Sequence, residues 1–149
     1  MERRNFFRTM MLAAASGATI FSARGKASAA THVSKVVYHL DDVAKVNFVV
    51  ENNMTQHITG VGGPKNVKMA LVVLGPALAS FKWSGADAGM AGKLQELHSQ
   101  GVELNACSNT MKKMNITLKD LLPGFIPAVN GGNVRLVELQ NHGYAYLRP

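Results

Sequence analysis

One cysteine, Cys107, is all the thiol chemistry this 149-residue chain carries. A single cysteine cannot close an internal disulfide, so the chain must fold on its hydrophobic core. Metal-ligand spacing is missing as well. His32, His39, His57, His98 and His142 stand apart, with no HxH and no HExxH pattern, and one cysteine among scattered histidines is not a zinc framework. No metal and no cofactor is expected. There is no GxGxxG, no GxxxxGK[ST] and no GxSxG, which removes the signatures of dinucleotide binding, phosphate loops and the hydrolase nucleophile elbow. Internal repeats and low-complexity linkers are absent too.

The formal net charge is +7. It is concentrated at one end. Arg3, Arg4, Arg8, Arg24 and Lys26, opposed only by Glu2, supply four of the seven charges within the first 29 residues. The rest of the chain is mildly basic and has no Lys/Arg stripe, which argues against nucleic-acid binding.

Those 29 residues read as a targeting segment. Arg3-Arg4-Asn5-Phe6-Phe7-Arg8 is a charged start with paired arginines, Met10 to Phe21 is a mostly apolar core, and Ala27-Ser28-Ala29 is an A-x-A cleavage site. The apolar core is shorter than the ~20 residues that span a bilayer. The segment resembles a bacterial twin-arginine signal. That resemblance implies export to the periplasm and, after cleavage, no stable membrane span; retention of the segment as an anchor is the other reading. Residues 30–149 remain as one domain of roughly 120 residues, enough for a core without disulfides.

Within that domain, apolar runs rich in β-branched residues alternate with helical periodicity. Strands are expected at Lys35–Leu40, Val67–Leu74, Val102–Ala106, Phe125–Val129 and Tyr144–Leu147. Helices are expected from Asp41/Asp42 to about Asn53, around Met90, Leu94 and Leu97, over Asn109–Met114, and after Gly132 with Val134, Leu136, Val137 and Leu139 buried. A short turn opens on Thr117-Leu-Lys-Asp120, a capping box with Asp in the place of Glu. His98 falls near the end of its helix, where a surface position or a dipole contact is the default. Five alternations of strand and helix predict an α/β domain, three layers α/β/α, with a mainly parallel sheet. Ligands bind such sheets beyond the carboxyl ends of the strands. That edge collects His39 to Asp42, Gly75 to Ala77, Cys107 to Thr110, Asn130 to Asn133, and Arg148-Pro149.

Cys107 ends a strand and precedes Ser108, Asn109 and Thr110, three residues that favour helix starts. A thiol at a helix N-terminus meets unpaired N–H groups and the positive end of the dipole, which favour the thiolate. The other reading is a small buried hydrophobe. Asn130-Gly131-Gly132-Asn133 precedes a helix, and is either an anion-holding nest or a plain loop. His39 is the one histidine expected near the thiol. Phe81, Trp83, Tyr144 and Tyr146 are the aromatic candidates for burial wherever copies of such a chain assemble.

Several stretches in order complete the picture: Lys35-Val-Val-Tyr-His-Leu-Asp-Asp42, Asn52-Asn53, Val72-Val-Leu-Gly-Pro76, Gly101-Val-Glu-Leu-Asn-Ala-Cys107, Asp120-Leu-Leu-Pro-Gly124 and Leu139-Gln-Asn-His-Gly-Tyr-Ala-Tyr-Leu-Arg-Pro149. On these residues the chain resembles the DsrE/DsrF-like proteins, small α/β proteins of sulfur relay. The resemblance implies trimers or hexamers and, in some members, a sulfur-carrying cysteine, onto which Cys107 falls. The expected function is sulfur handling: Cys107 accepts a sulfane sulfur as a persulfide and passes it to the thiol of a partner. Ser108, Asn109 and Thr110 would support the thiolate, and His39 would polarise the donor. A module that binds a small anion or sulfur compound without turnover, and a structural oligomer with Cys107 merely packed, are the alternatives.

Overall fold

The computed structural model describes residues 33–149; the expected signal segment lies outside them. Five strands, β1 (Ser34–Leu40), β2 (Val67–Val73), β3 (Glu103–Cys107), β4 (Phe125–Ala128) and β5 (Ala145–Leu147), form one parallel sheet in the order β4-β3-β2-β1-β5. The central strands are buried on both faces. That is why Val36 to Leu40 and Met69 to Val73 read as unbroken apolar runs rather than alternating ones. β4 and β5 are edges, and they are short.

The chain moves outward from β1 through β2 and β3 to β4, then returns past all of them to place β5 beside β1. Right-handed crossovers put the connections of opposite travel on opposite faces. The helices α1 (Met54–Gly60) and α2 (Ala88–Ser99) and the segment after α3 (Ser108–Met114) pack on one face. There Val36, Tyr38, Leu71, Val73, Leu104 and Ala106 meet Val50, Met54, Leu78, Phe81, Leu94, Leu97, Ile116 and Leu121. Among the described residues the other face carries one helix, α4 (Gly132–Asn141), whose Leu136 and Leu139 sit on Val37, Ala70 and Val72. The α/β/α layering predicted from the alternation is present, with very unequal layers.

Three expectations are corrected. The first helical region does not stop near Asn53. A 3-10 turn at Val43–Lys45 leads to a π-helical turn at Phe48–Asn53 and then α1, which runs to Gly60. Tertiary burial of Met54 and Ile58 carries the helix past the expected end at Asn53. Val134 and Val137 are not buried. They are 45% and 55% exposed, because α4 turns one narrow stripe, Leu136 and Leu139, to the sheet. Phe81 is not available to another copy: it is fully buried, edge-to-face on Phe125 with ring centroids 5.3 Å apart. The capping box is as expected. Thr117 N–H donates to the Asp120 carboxylate at 2.7 Å, and the Thr117 hydroxyl donates to the same oxygen at 2.8 Å. Among the described residues no helix is long and apolar enough to cross a membrane.

Candidate functional site

In a doubly wound sheet, the crevice opens where neighbouring strands send their following connections to opposite faces. Here that point lies between β3 and β4. The chain leaving β3 turns to the crowded face, where Met111 and Ile116 pack, and the chain leaving β4 turns to the face of α4. Cys107 ends β3 and the Asn130–Gly132 turn follows β4, so the two loops converge on that crevice.

Cys107 is the N-cap of α3, with extended backbone (φ −64°, ψ 115°). Its sulfur is also met by the start of α4: the Gly132 N–H donates to Cys107 Sγ at 3.1 Å. Two helix N-termini therefore face one sulfur. Glycine is required at 132 for this approach. An added Cβ would lie 2.8 Å from Leu74 Cδ2 and 3.2 Å from Cys107 Cβ. Gly131 is constrained as well. Its φ of +99° lies in the region that favours glycine, and an added Cβ would lie 2.7 Å from Asn109 Nδ2.

The Cys107 residue is only 5% exposed. Burial pushes the thiol up, as it does any group that charges on losing a proton. The Thr110 hydroxyl, the Gly132 N–H and the N–H groups of Thr110 and Asn109 favour the thiolate and together outweigh burial, so the thiol lies below its ordinary value; of these donors the Gly132 N–H is the one in hydrogen-bond geometry with the sulfur. The Thr110 hydroxyl is itself oriented, since it accepts the Gly75 N–H at 3.0 Å. The helix start at Cys107 was legible from the cap residues. The Gly132 donor was not, because it depends on strand order.

The remaining expected site residues divide. Gly132 is brought onto the sulfur, Asn109 and Thr110 lie beside it, and Gly131 lies against the Asn109 side chain. Ser108 turns to a groove of about 640 Å³ along α3 and the following loop, with Met111, Lys112 and Ile116; Cys107 is not part of its lining. Asn130 is exposed, at the mouth of a cavity of about 310 Å³ between β4 and α4 that also touches Asn105, Gly131 and Arg135. His39 is not brought to the thiol. It lies on β1, two strands away from β3, about 10 Å across a sheet with ~4.8 Å spacing. His39 Nδ1 shares a 2.6 Å hydrogen bond with the Tyr146 hydroxyl, and Asp41, 3.8 Å from His39 Nε2, pairs with Arg148 at 2.7 Å. Burial holds the imidazole below its ordinary pKa; Asp41 opposes this and Arg148 adds to it. His39 thus ties the last strand to the sheet. Residues that share a sheet edge in sequence need not share a crevice. Among the described residues no group of three His, Cys, Asp or Glu side chains is gathered to hold a metal.

One polar cluster escaped the sequence reading. Asn105, on the same face of β3 as Cys107, is 1% exposed. It accepts from Arg135 Nε at 3.1 Å and donates to Glu103 at 2.9 Å. Arg135 also pairs with Glu103 at 2.8 Å and Glu138 at 3.0 Å. The available signal was an asparagine inside an apolar strand, since a buried amide must find partners.

Comparison with known proteins agrees with this fold. A solved protein of unknown function from Methanobacterium thermoautotrophicum superposes with a TM-score of 0.65 at 29% identity, over 78% of this chain and 99% of that one. The ychN protein from E. coli superposes with a TM-score of 0.60 over the same shares of the two chains, at 17% identity. Among curated proteins none matches the sequence. The DsrE/DsrF-like family model matches residues 15–149, and the chain belongs to the DsrE/DsrF-like family.

Proposed function

We propose that this protein is a sulfur carrier whose working group is the Cys107 thiolate. The observation that carries the reading is the Gly132 N–H on Cys107 Sγ, at the start of a second helix in the switch-point crevice. In the first step the thiolate attacks the outer, sulfane sulfur of a donor R–S–S⁻. A new Cys107 S–S bond forms, the donor's S–S bond breaks, and the donor leaves as its thiolate. In the second step an external thiolate attacks that outer sulfur, taking it as its own persulfide and releasing Cys107 as thiolate. Each step exchanges one S–S bond for another and needs no outside oxidant. With one cysteine in the chain, the second thiol must come from a partner. The buried sulfur favours selective access over general reactivity.

Intact mass after incubation with polysulfide tests the reading. The wild-type protein should gain one sulfur atom, lose it to added thiol, and gain none as Cys107→Ser. Equal gain by both proteins would remove Cys107 from the mechanism.

We place the protein in the periplasm, exported by the twin-arginine route, on the strength of Arg3-Arg4 and Ala27-Ser28-Ala29. Changing both arginines to lysine should strand the precursor in the cytoplasm, and normal delivery of that variant would end the assignment. A trimer or hexamer is proposed from the family and from exposed apolar surface. Ile126 and Val129 at the β4 edge, Val134 and Val137 on α4, and Trp83 are all exposed. Light scattering of residues 30–149 at micromolar concentration should give a multiple of the chain mass; a monomer would contradict it.

A further inference from the structure

We infer that Arg135 is a positioning residue, which with Asn105 and Glu103 fixes the start of α4 over β3 and so holds the Gly132 N–H on the Cys107 sulfur. The inference rests on reading Cys107 as a reactive thiolate. It begins from what the first turn of α4 lacks. Gly131 and Gly132 have no side chains, and Asn133 and Val134 are exposed. The apolar grip of α4 on the sheet begins only at Leu136. Left to those contacts, the amino end of the helix would be free to shift by the few tenths of an ångström that decide a hydrogen bond.

Arg135 supplies the missing grip. It is one turn from Gly132, and residues three apart share a helix face. Its Nε–H donates to Asn105 Oδ1 at 3.1 Å and its Nη2–H to Glu103 at 2.8 Å, both on β3. Asn105 is in turn fixed by donating to Leu71 O at 3.3 Å on β2 and to Glu103 at 2.9 Å. A planar guanidinium donating from two edges defines a direction as well as a distance. Asn105 is two residues before Cys107 on the same strand, so the fork ties helix and thiol to one rigid strand. The same arrangement balances the arginine with two carboxylates, Glu103 and Glu138. That makes it a poor anion site and a good clamp.

The test separates position from charge. Arg135→Lys keeps the charge and loses the fork; Arg135→Met keeps the stem and loses both. The pH midpoint of Cys107 alkylation is measured for each, with amide hydrogen exchange at Gly132 read alongside. Arg135→Lys should raise the midpoint by roughly half a pH unit and speed Gly132 exchange about tenfold, and Arg135→Met should do at least as much. If the wild-type midpoint is lowered and Arg135→Lys leaves both it and Gly132 exchange unchanged, the inference falls, whatever Arg135→Met does, and the thiolate reading stands. If the wild-type midpoint sits at or above that of free cysteine, the thiolate reading falls. Gly132 exchange in Arg135→Lys then decides the clamp by itself: faster exchange supports it and unchanged exchange overturns it.

Discussion

Gly132→Ala should both destabilise the protein and raise the pH at which Cys107 reacts. The added methyl would meet Leu74 Cδ2 at 2.8 Å, Cys107 Cβ at 3.2 Å and Leu74 Cβ at 3.3 Å. Leu74 Cδ2 can swing aside, but two Cβ atoms tied to backbone cannot. In most helices glycine to alanine gains up to about 1 kcal/mol. Here the overpacking, about 1–3 kcal/mol, should win. The cheapest relief moves the start of α4 outward, and that lengthens the 3.1 Å contact from the Gly132 N–H to the sulfur. Burial would then act on the thiol with one donor fewer. Each pH unit of upward shift corresponds to about 1.4 kcal/mol of lost thiolate stabilisation.

The sign for stability follows from linkage. A thiol lowered in the folded state contributes stability that is fully present above its unfolded value, near 8.5, and is lost as pH falls through the lower folded value. The gap in unfolding free energy between wild type and Gly132→Ala should therefore widen as pH rises through that window. Denaturant titrations at several pH values, paired with iodoacetamide kinetics, measure both effects. A variant with a wild-type alkylation midpoint would mean the Gly132 contact does not stabilise the thiolate.

The fold was legible because its signals are local. Continuous apolar runs marked β1 and β2, and the Thr117–Asp120 box marked its own turn. The position of Cys107 between a buried strand and three capping residues placed the thiol at a helix start. What was not legible depends on which strands are neighbours. Nothing in the sequence near His39 says that it faces Tyr146 on an edge strand, or that β2 stands between it and Cys107. Nothing near Gly132 says that the return crossover brings it onto the sulfur. The burial error at Val134 and Val137 has the same origin. A helix face cannot be assigned until it is known whether one helix or two cover that side of the sheet.

Phe81→Ala should be the most destabilising single change away from the site. Phe81 is fully buried, with its ring against Phe125 at 5.3 Å and an interplanar angle of 67°. Truncating a buried phenylalanine costs about 3–5 kcal/mol, part from lost transfer and part from the cavity left behind. The edge-to-face pair accounts for about 0.5–1.5 kcal/mol of that. Backbone contacts survive the change, since the Leu122 N–H bonds to the Phe81 carbonyl at 2.8 Å. The loss should therefore appear in the denaturation midpoint rather than in a changed fold. A domain of this size is typically stable by about 5–15 kcal/mol, so a folded fraction should remain measurable. In that fraction the alkylation midpoint of Cys107 should equal that of wild type. Phe81 lies in the core on the crowded face of the sheet, while the donors to the sulfur come from the two rim loops. A cost under about 1 kcal/mol would show that the cavity collapses and that this face is loosely packed. A shifted midpoint would show that the core sets the site's geometry, so that the two faces of the sheet are not energetically separate.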